Sequence, residues 1–174
     1  MRPRDKNKLG HEKAVADELL CELKIEPSDA RPGNPDKQEP DRLYRIGEKT
    51  IGIEVVTAYY TQGEAMITAE AAAEKPIAPD EIREGEMIVS PDGAICDAIK
   101  DCLNEKAAKT YSGTDETWLC ISADAALTES AIIEACVNNL EVPDHHFTRI
   151  FVTLRKSENE GGGLALFEVE SGKN

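Results

Sequence analysis

Residues 39–58 read EPDRLYRIGEKTIGIEVVTA. Two β-like runs, at about 41–46 and 50–57, flank a Gly-Glu-Lys turn. A Pro-Asp pair opens the first run, and a glutamate sits inside the second among isoleucines and valines. With the hairpin closed around Gly47–Thr50, Ile46 faces Ile51, Tyr44 faces Ile53, Leu43 faces Glu54 and Asp41 faces Val56. Side chains alternate along a strand. One face therefore collects Tyr44, Ile46, Ile51, Ile53 and Val55, a core face. The other collects Asp41, Leu43, Thr50, Gly52, Glu54 and Val56. Asp41 and Glu54 stand there on a diagonal, about 7–8 Å apart. Two carboxylates so placed can share one divalent cation, which relieves their repulsion. The plainer alternative makes them ordinary acids on a solvated face. Gly52 leaves room for a ligand, and Pro40, with no N–H to give, opens the strand edge beside Asp41.

Working outward, residues 9–24 form an amphipathic helix with Val15, Ala16, Leu19, Leu20 and Leu23 on one stripe. Residues 26–40, rich in Pro, Gly, Asp and Asn, are expected as loop. GEAMITAEAAAEK (63–75) holds strong helix formers, and PIAPDEIREGE (76–86) is loop-like. A second helix covers about 94–110, after a cap region at Ser90-Pro91-Asp92. WLCISA (118–123) is a strand buried on both faces. Residues 128–140 are helical, and 149–155 with 164–170 form a hairpin around SENEGGG. The order predicts a single mixed α/β domain over residues 1–174.

The 174 residues suffice for one core, with no apolar run of membrane length and no secretory stretch in MRPRDKNKLG. Five scattered cysteines without a CxxC pair argue against a disulfide framework or zinc site, and favour a reducing cytoplasm. The net charge of −14 excludes broad adhesion to nucleic acid or anionic membrane. That charge is uneven. Residues 1–13 carry Arg2, Arg4, Lys6, Lys8 and Lys13 against Asp5 and Glu12, and the remainder holds 15 bases against 32 acids.

Two helix residues stand where apolar ones belong. At 100° per residue, Glu12 falls in the middle of the first apolar stripe. Lys106 falls within the stripe of Ile95, Ile99, Cys102 and Leu103. A buried unpaired charge costs several kcal/mol, so each must escape to water or meet an opposite charge or metal. Glu12 could be a first-turn acid favoured by the helix dipole, and Lys106 could snorkel from its last turns. If Glu12, Asp41, Glu54 and Lys106 converge, three acids and a lysine make a metal-dependent hydrolytic site.

Pro40-Asp41 followed by Ile-Gly-Ile-Glu-Val at 51–55 resembles the PD-(D/E)xK superfamily, the restriction-endonuclease-like nucleases. "AIKDCLNEKAAKTY" and then "ETWLCISA" extend the likeness to variants that place lysines in the next helix before a buried strand. The resemblance implies an α-β-β-β-α-β core over about residues 9–123, with one short strand near Leu23–Glu26. Residues of about 124–174, a helix and β-hairpin, would be an elaboration. It implies metal binding by Asp41 and Glu54 with the Val55 carbonyl, an acid at Glu12, and Mg²⁺ or Mn²⁺ as cofactor. The motif lysine should stand two residues after Glu54, where this chain has Val56. Lys106 is the first candidate to replace it and Lys109 the second. The implied activity is nuclease cleavage of nucleic acid, DNA foremost, in a cleft served by the basic N-terminal arm. A homodimer, and a protein partner for the acidic surface, are further expectations. The alternative is a silent member acting as a binding or assembly module.

Other motifs carry less. Pro35-Asp36 lacks strand context, and His145-His146 has no acid–histidine spacing. Ser90, Ser112 and Ser122 lack a G-x-S-x-G setting. No Lys-Ser/Thr follows the glycines of SENEGGG. Trp118 reads as core, and aromatics at 5% disfavour sequence-neutral single-strand binding.

Overall fold

The computed structural model describes residues 3–59, 91–124, 128–156 and 160–170. The stretches 63–75 and 76–86 and the cap residue Ser90 lie outside the described residues. The elements are α1 (Pro3–Glu22), β1 (Asp29–Pro32), a 3₁₀ turn (Pro35–Lys37), β2 (Arg42–Ile46), β3 (Lys49–Tyr59), α2 (Pro91–Ala107), β4 (Glu116–Asp124), α3 (Ser130–Asn138), β5 (Arg149–Arg155) and β6 (Leu164–Glu168). They build an α/β fold on a six-stranded sheet in the order β1-β2-β3-β4-β5-β6. β3, β4 and β5 run parallel, and the other neighbours pair antiparallel. Parallel neighbours require crossovers, and α2 and α3 supply them. Among the described residues no helix is long and apolar enough to cross a membrane.

Each sheet face has its own core. α1 lays Val15, Ala16, Leu19 and Leu20 on Tyr44, Ile51, Ile53, Val55, Trp118, Cys120 and Phe151. On the other face α2 and α3 bring Ile95, Ile99, Leu103, Ile133 and Val137 onto Leu119, Ile121, Ile150 and Val152. The face collected from the hairpin's alternation is thus the one that α1 covers. The opposite face, with Leu43 and Glu54 both buried, is not solvated.

Several expectations need correction. α1 begins six residues earlier than the periodicity suggests, so the basic N-terminal residues from Pro3 onward belong to a helix rather than an arm. It also ends earlier. Lys24 adopts φ 55°, its N–H donates to the Cys21 carbonyl, and Ile25 N–H donates to the Leu20 carbonyl, a Schellman stop. No strand forms near Leu23–Glu26. The first strand is Asp29–Pro32, inside the expected loop, fully exposed and held by pairing with β2. Its sequence has no strand preference, so tertiary pairing makes it.

The hairpin register differs as well: Ile46 faces Lys49, Tyr44 faces Ile51 and Arg42 faces Ile53. The connection is the two residues Gly47-Glu48, with Gly47 at φ 61°, which suits a tight turn led by glycine. Because the slide is two residues, every side chain keeps its face.

Cysteine pairing is also corrected. Cys96 of α2 and Cys136 of α3 are joined as a disulfide, their Cα atoms 5.7 Å apart. Cys21, Cys102 and Cys120 are free.

A carboxylate and lysine cluster at the open edge of β3

β3 has 11 residues and β2 only five, so their ladder stops at the Arg42–Ile53 pair. Beyond it the β2-side edge of β3 has no strand partner among the described residues. Asp41 sits at this fork, directly across from Glu54 by extension of the register. Its Oδ2 accepts the Val55 N–H at 2.9 Å, taking the place of a ladder bond. Its own N–H donates to Glu54 Oε2 at 3.3 Å. An extended residue sends N–H and C=O to the same edge, so the Val55 carbonyl also opens toward Asp41.

Pro40-Asp41 is clamped from three sides. Gly33 N–H donates to the Asp41 carbonyl at 3.0 Å. A Cβ on Gly33 would meet the Pro40 carbonyl oxygen at 1.7 Å, and one on Gly52 would meet Pro40 Cγ and Thr114 Cγ2 at 2.6 Å. Gly52 therefore does not leave room for a ligand, as its place beside Glu54 suggests; the Pro40 ring and Thr114 fill that space. Gly52→Ala is expected to cost about 1–3 kcal/mol by overpacking and to speed exchange of the Val55 amide. Urea unfolding with amide exchange checks this, and an unchanged midpoint would refute the clamp.

Lys106 comes from the last turn of α2, where the helix dipole favours a cation. Its Nζ meets Glu54 Oε1 at 2.7 Å, with the two side chains only 12% and 8% exposed. Burial works against the ammonium, but the hydrogen bond and charge of Glu54 outweigh it and hold its pKa above the ordinary value. Lys109 turns instead to Glu105 on the surface. Glu12 is buried at 4% exposure in the stripe where the periodicity puts it, so it does not fray into water. Lys8 Nζ stands 3.3 Å from Glu12 Oε1 without an aligned hydrogen bond.

Asp41 senses the whole group. Burial, then the charge of Glu54, and more weakly that of Glu12, lift its pKa to about 7, while the Val55 N–H and Lys106 pull the other way. The four charged residues picked from the sequence thus lie within electrostatic reach of one carboxyl. Pro35-Asp36 stands apart in an exposed 3₁₀ turn. His145 lines a separate groove with Arg149 and Glu168 at the start of β5. Trp118 is core, edge-on to Phe151.

Sequence reasoning missed Tyr111, in the loop between α2 and β4. Its buried hydroxyl lies beside the Glu54 carboxylate, and burial first, then the charge and hydrogen-bonding reach of Glu54, push its pKa up. The available signal was an aromatic residue five positions after Lys106 in an otherwise polar loop.

The donors at the fork are all oxygen: two carboxylates and a backbone carbonyl. That set suits a hard divalent cation. Glu12 Oε1, buried without a hydrogen bond, and the mutual repulsion raising Asp41 both fit added positive charge. Among the described residues, however, no three His, Cys, Asp or Glu side chains are grouped tightly enough to hold a metal by themselves.

Compared with protein-family models, curated proteins and solved structures, the chain matches none. What the fold and site define by themselves is an α/β protein with a buried carboxylate–lysine cluster where its sheet forks.

Proposed function

We propose that this chain is a metal-dependent nuclease of the PD-(D/E)xK type. One observation carries the reading: a buried lysine from α2 bonds a strand glutamate that stands across from a Pro-Asp aspartate at a sheet fork. The order helix, three strands, helix, strand supports the same class. Asp41 and Glu54, with the Val55 carbonyl, would hold Mg²⁺ or Mn²⁺, which when bound acidifies water and neutralises phosphate charge. Lys106 would turn from Glu54 toward the attacking water or the phosphate, stabilising developing negative charge. Glu12 would orient water on the α1 side. Water adds to phosphorus, the P–O ester bond breaks, and one phosphate monoester and one hydroxyl result. A chain of net charge −14 would confine nucleic acid to this fork. DNA as the substrate and a homodimer able to cut both strands are parts of the same proposal. A cytoplasmic setting now rests on the three free thiols alone.

The second reading is a silent member of the same class, used for binding or assembly. The lack of a three-ligand group among the described residues favours it. Plasmid, single-stranded DNA and RNA incubated with Mg²⁺ or Mn²⁺ separate the two. Cleavage by the native chain is expected to disappear in Asp41→Ala and Lys106→Ala. Cleavage surviving in both variants would overturn the enzyme reading, and an inert native chain that metal does not stabilise would favour the silent module.

A further inference from the structure

α3 is the most thinly held of the three helices. It has nine residues and buries only Ile133 and Val137. The Glu129 side chain makes no capping hydrogen bond. Instead Glu160 Oε1 accepts the Ser130 N–H and hydroxyl at 2.9 and 2.7 Å. A helix this short has little stability of its own in water. The covalent bond from Cys136 to Cys96 of α2 is therefore a large part of what keeps α3 docked. The five cysteines are used in two ways. One pair is joined, while Cys21, exposed on α1, stays free together with Cys102 and Cys120. A lone disulfide in a chain that keeps its other thiols is characteristically transient or redox-sensing. Cys96 and Cys136 are both only half-buried, so a small thiol can reach the bond. Neither belongs to the apolar core of that face, which packs Ile95, Ile99, Ile133 and Val137 without them. Opening the bond thus leaves the body of the fold in place.

We propose that Cys96–Cys136 is a reversible redox latch that holds α3 on α2 and is opened by a small thiol of the glutathione class. A thiolate of the reductant attacks one sulfur of the pair and forms a mixed disulfide, which a second thiolate then displaces. Two electrons and two protons pass to Cys96 and Cys136, and the reductant leaves as its own disulfide. With the latch open, α3 keeps two apolar anchors and the Ser130–Glu160 bonds, and undocks by local unfolding. Lys106 stands ten residues further along α2, about 15 Å away. The latch acts on α3 rather than on the fork, so it stands independently of the nuclease reading.

The test exposes the full folded chain, without denaturant, first to oxidised and then to reduced glutathione. Alkylation read by mass spectrometry follows Cys96 and Cys136, amide exchange follows α3, and urea unfolding follows the whole chain. The pair should close and reopen while the chain stays folded. Reduction releases a crosslink between residues 40 apart, so the folded-to-unfolded ratio should fall about 10²–10³-fold. Amides of α3 should exchange at least about 10-fold faster, with those of β3 and β4 still the slowest in the chain. The double variant Cys96→Ser with Cys136→Ser should behave as the reduced chain does and ignore glutathione. A pair that never closes, or that opens only when urea unfolds the chain, would overturn the latch. So would α3 exchange that reduction leaves unchanged, or a reduced chain that unfolds as a whole. A double variant that still responds to glutathione would move the effect to the other thiols and refute it as well.

Discussion

Lys106→Met is expected to destabilise the protein by about 3–5 kcal/mol, because it leaves Glu54 buried without its counter-charge. Both side chains are nearly enclosed, so water can replace little of the lost 2.7 Å contact. Lys109 cannot substitute, since it is occupied with Glu105 at the surface. The double variant Glu54→Gln with Lys106→Met should recover most of the loss. The carboxamide introduced by Glu54→Gln can still accept the Asp41 N–H through its oxygen, and neither member of the pair is left as an unpaired charge. Urea unfolding of the single and double variants measures the coupling directly. A Lys106→Met variant as stable as the native chain would show that the pair is not a structural unit. Cleavage should vanish in both variants, so stability and chemistry separate in the double one.

Asp41→Asn should act in the opposite direction on stability. The native carboxyl ionises at about 7 in the folded chain against an ordinary 3.8, chiefly through burial and the charge of Glu54. Between those values the folded chain holds the proton more tightly than the unfolded one. Stability is therefore greatest below about pH 4 for this group, falls as pH rises, and has lost its full share above pH 7. Converted directly, that share is at most on the order of 4 kcal/mol. The carboxamide that replaces it in Asp41→Asn cannot ionise, but its oxygen can still accept the Val55 N–H. The variant should match the native chain near pH 4 and exceed it by a few kcal/mol at pH 8. Saturating Mg²⁺ should close the gap by stabilising only the native chain, since the cation needs the ionised carboxylate. Melting curves from pH 4 to 9, with and without Mg²⁺, decide it. A native stability that does not fall between pH 5 and 8 relative to the variant would count against the strained carboxyl.

The charged residues are legible because they break a pattern. Glu12 and Lys106 interrupt apolar helical stripes, and a glutamate among strand isoleucines asks for a partner. Alternation assigns the hairpin faces correctly even with the wrong pairing, because a slide of two residues leaves each side chain on its face. The pairing itself depends on how tightly Gly47-Glu48 turns, and composition does not fix that. β1 is not legible, since Asp-Ala-Arg-Pro is a strand only where β2 offers it an edge. Nor is the role of Gly52, because packing by Pro40 and Thr114, distant in the chain, decides it. The Cys96–Cys136 link, 40 residues apart, depends on how α2 lies against α3.

The fork in the sheet has one more consequence. Bare strand edges invite other chains to add themselves as an extra strand. Along the stretch of β3 that β2 never reaches, the Asp41 carboxylate occupies the Val55 amide and the Cys102 thiol covers the Thr57 carbonyl at 3.7 Å. Side chains thus stopper the seam against self-association. A variant such as Asp41→Ala, made only to silence chemistry, would uncork an amide in the middle of a Val- and Ile-rich strand, and fibril growth would be the symptom.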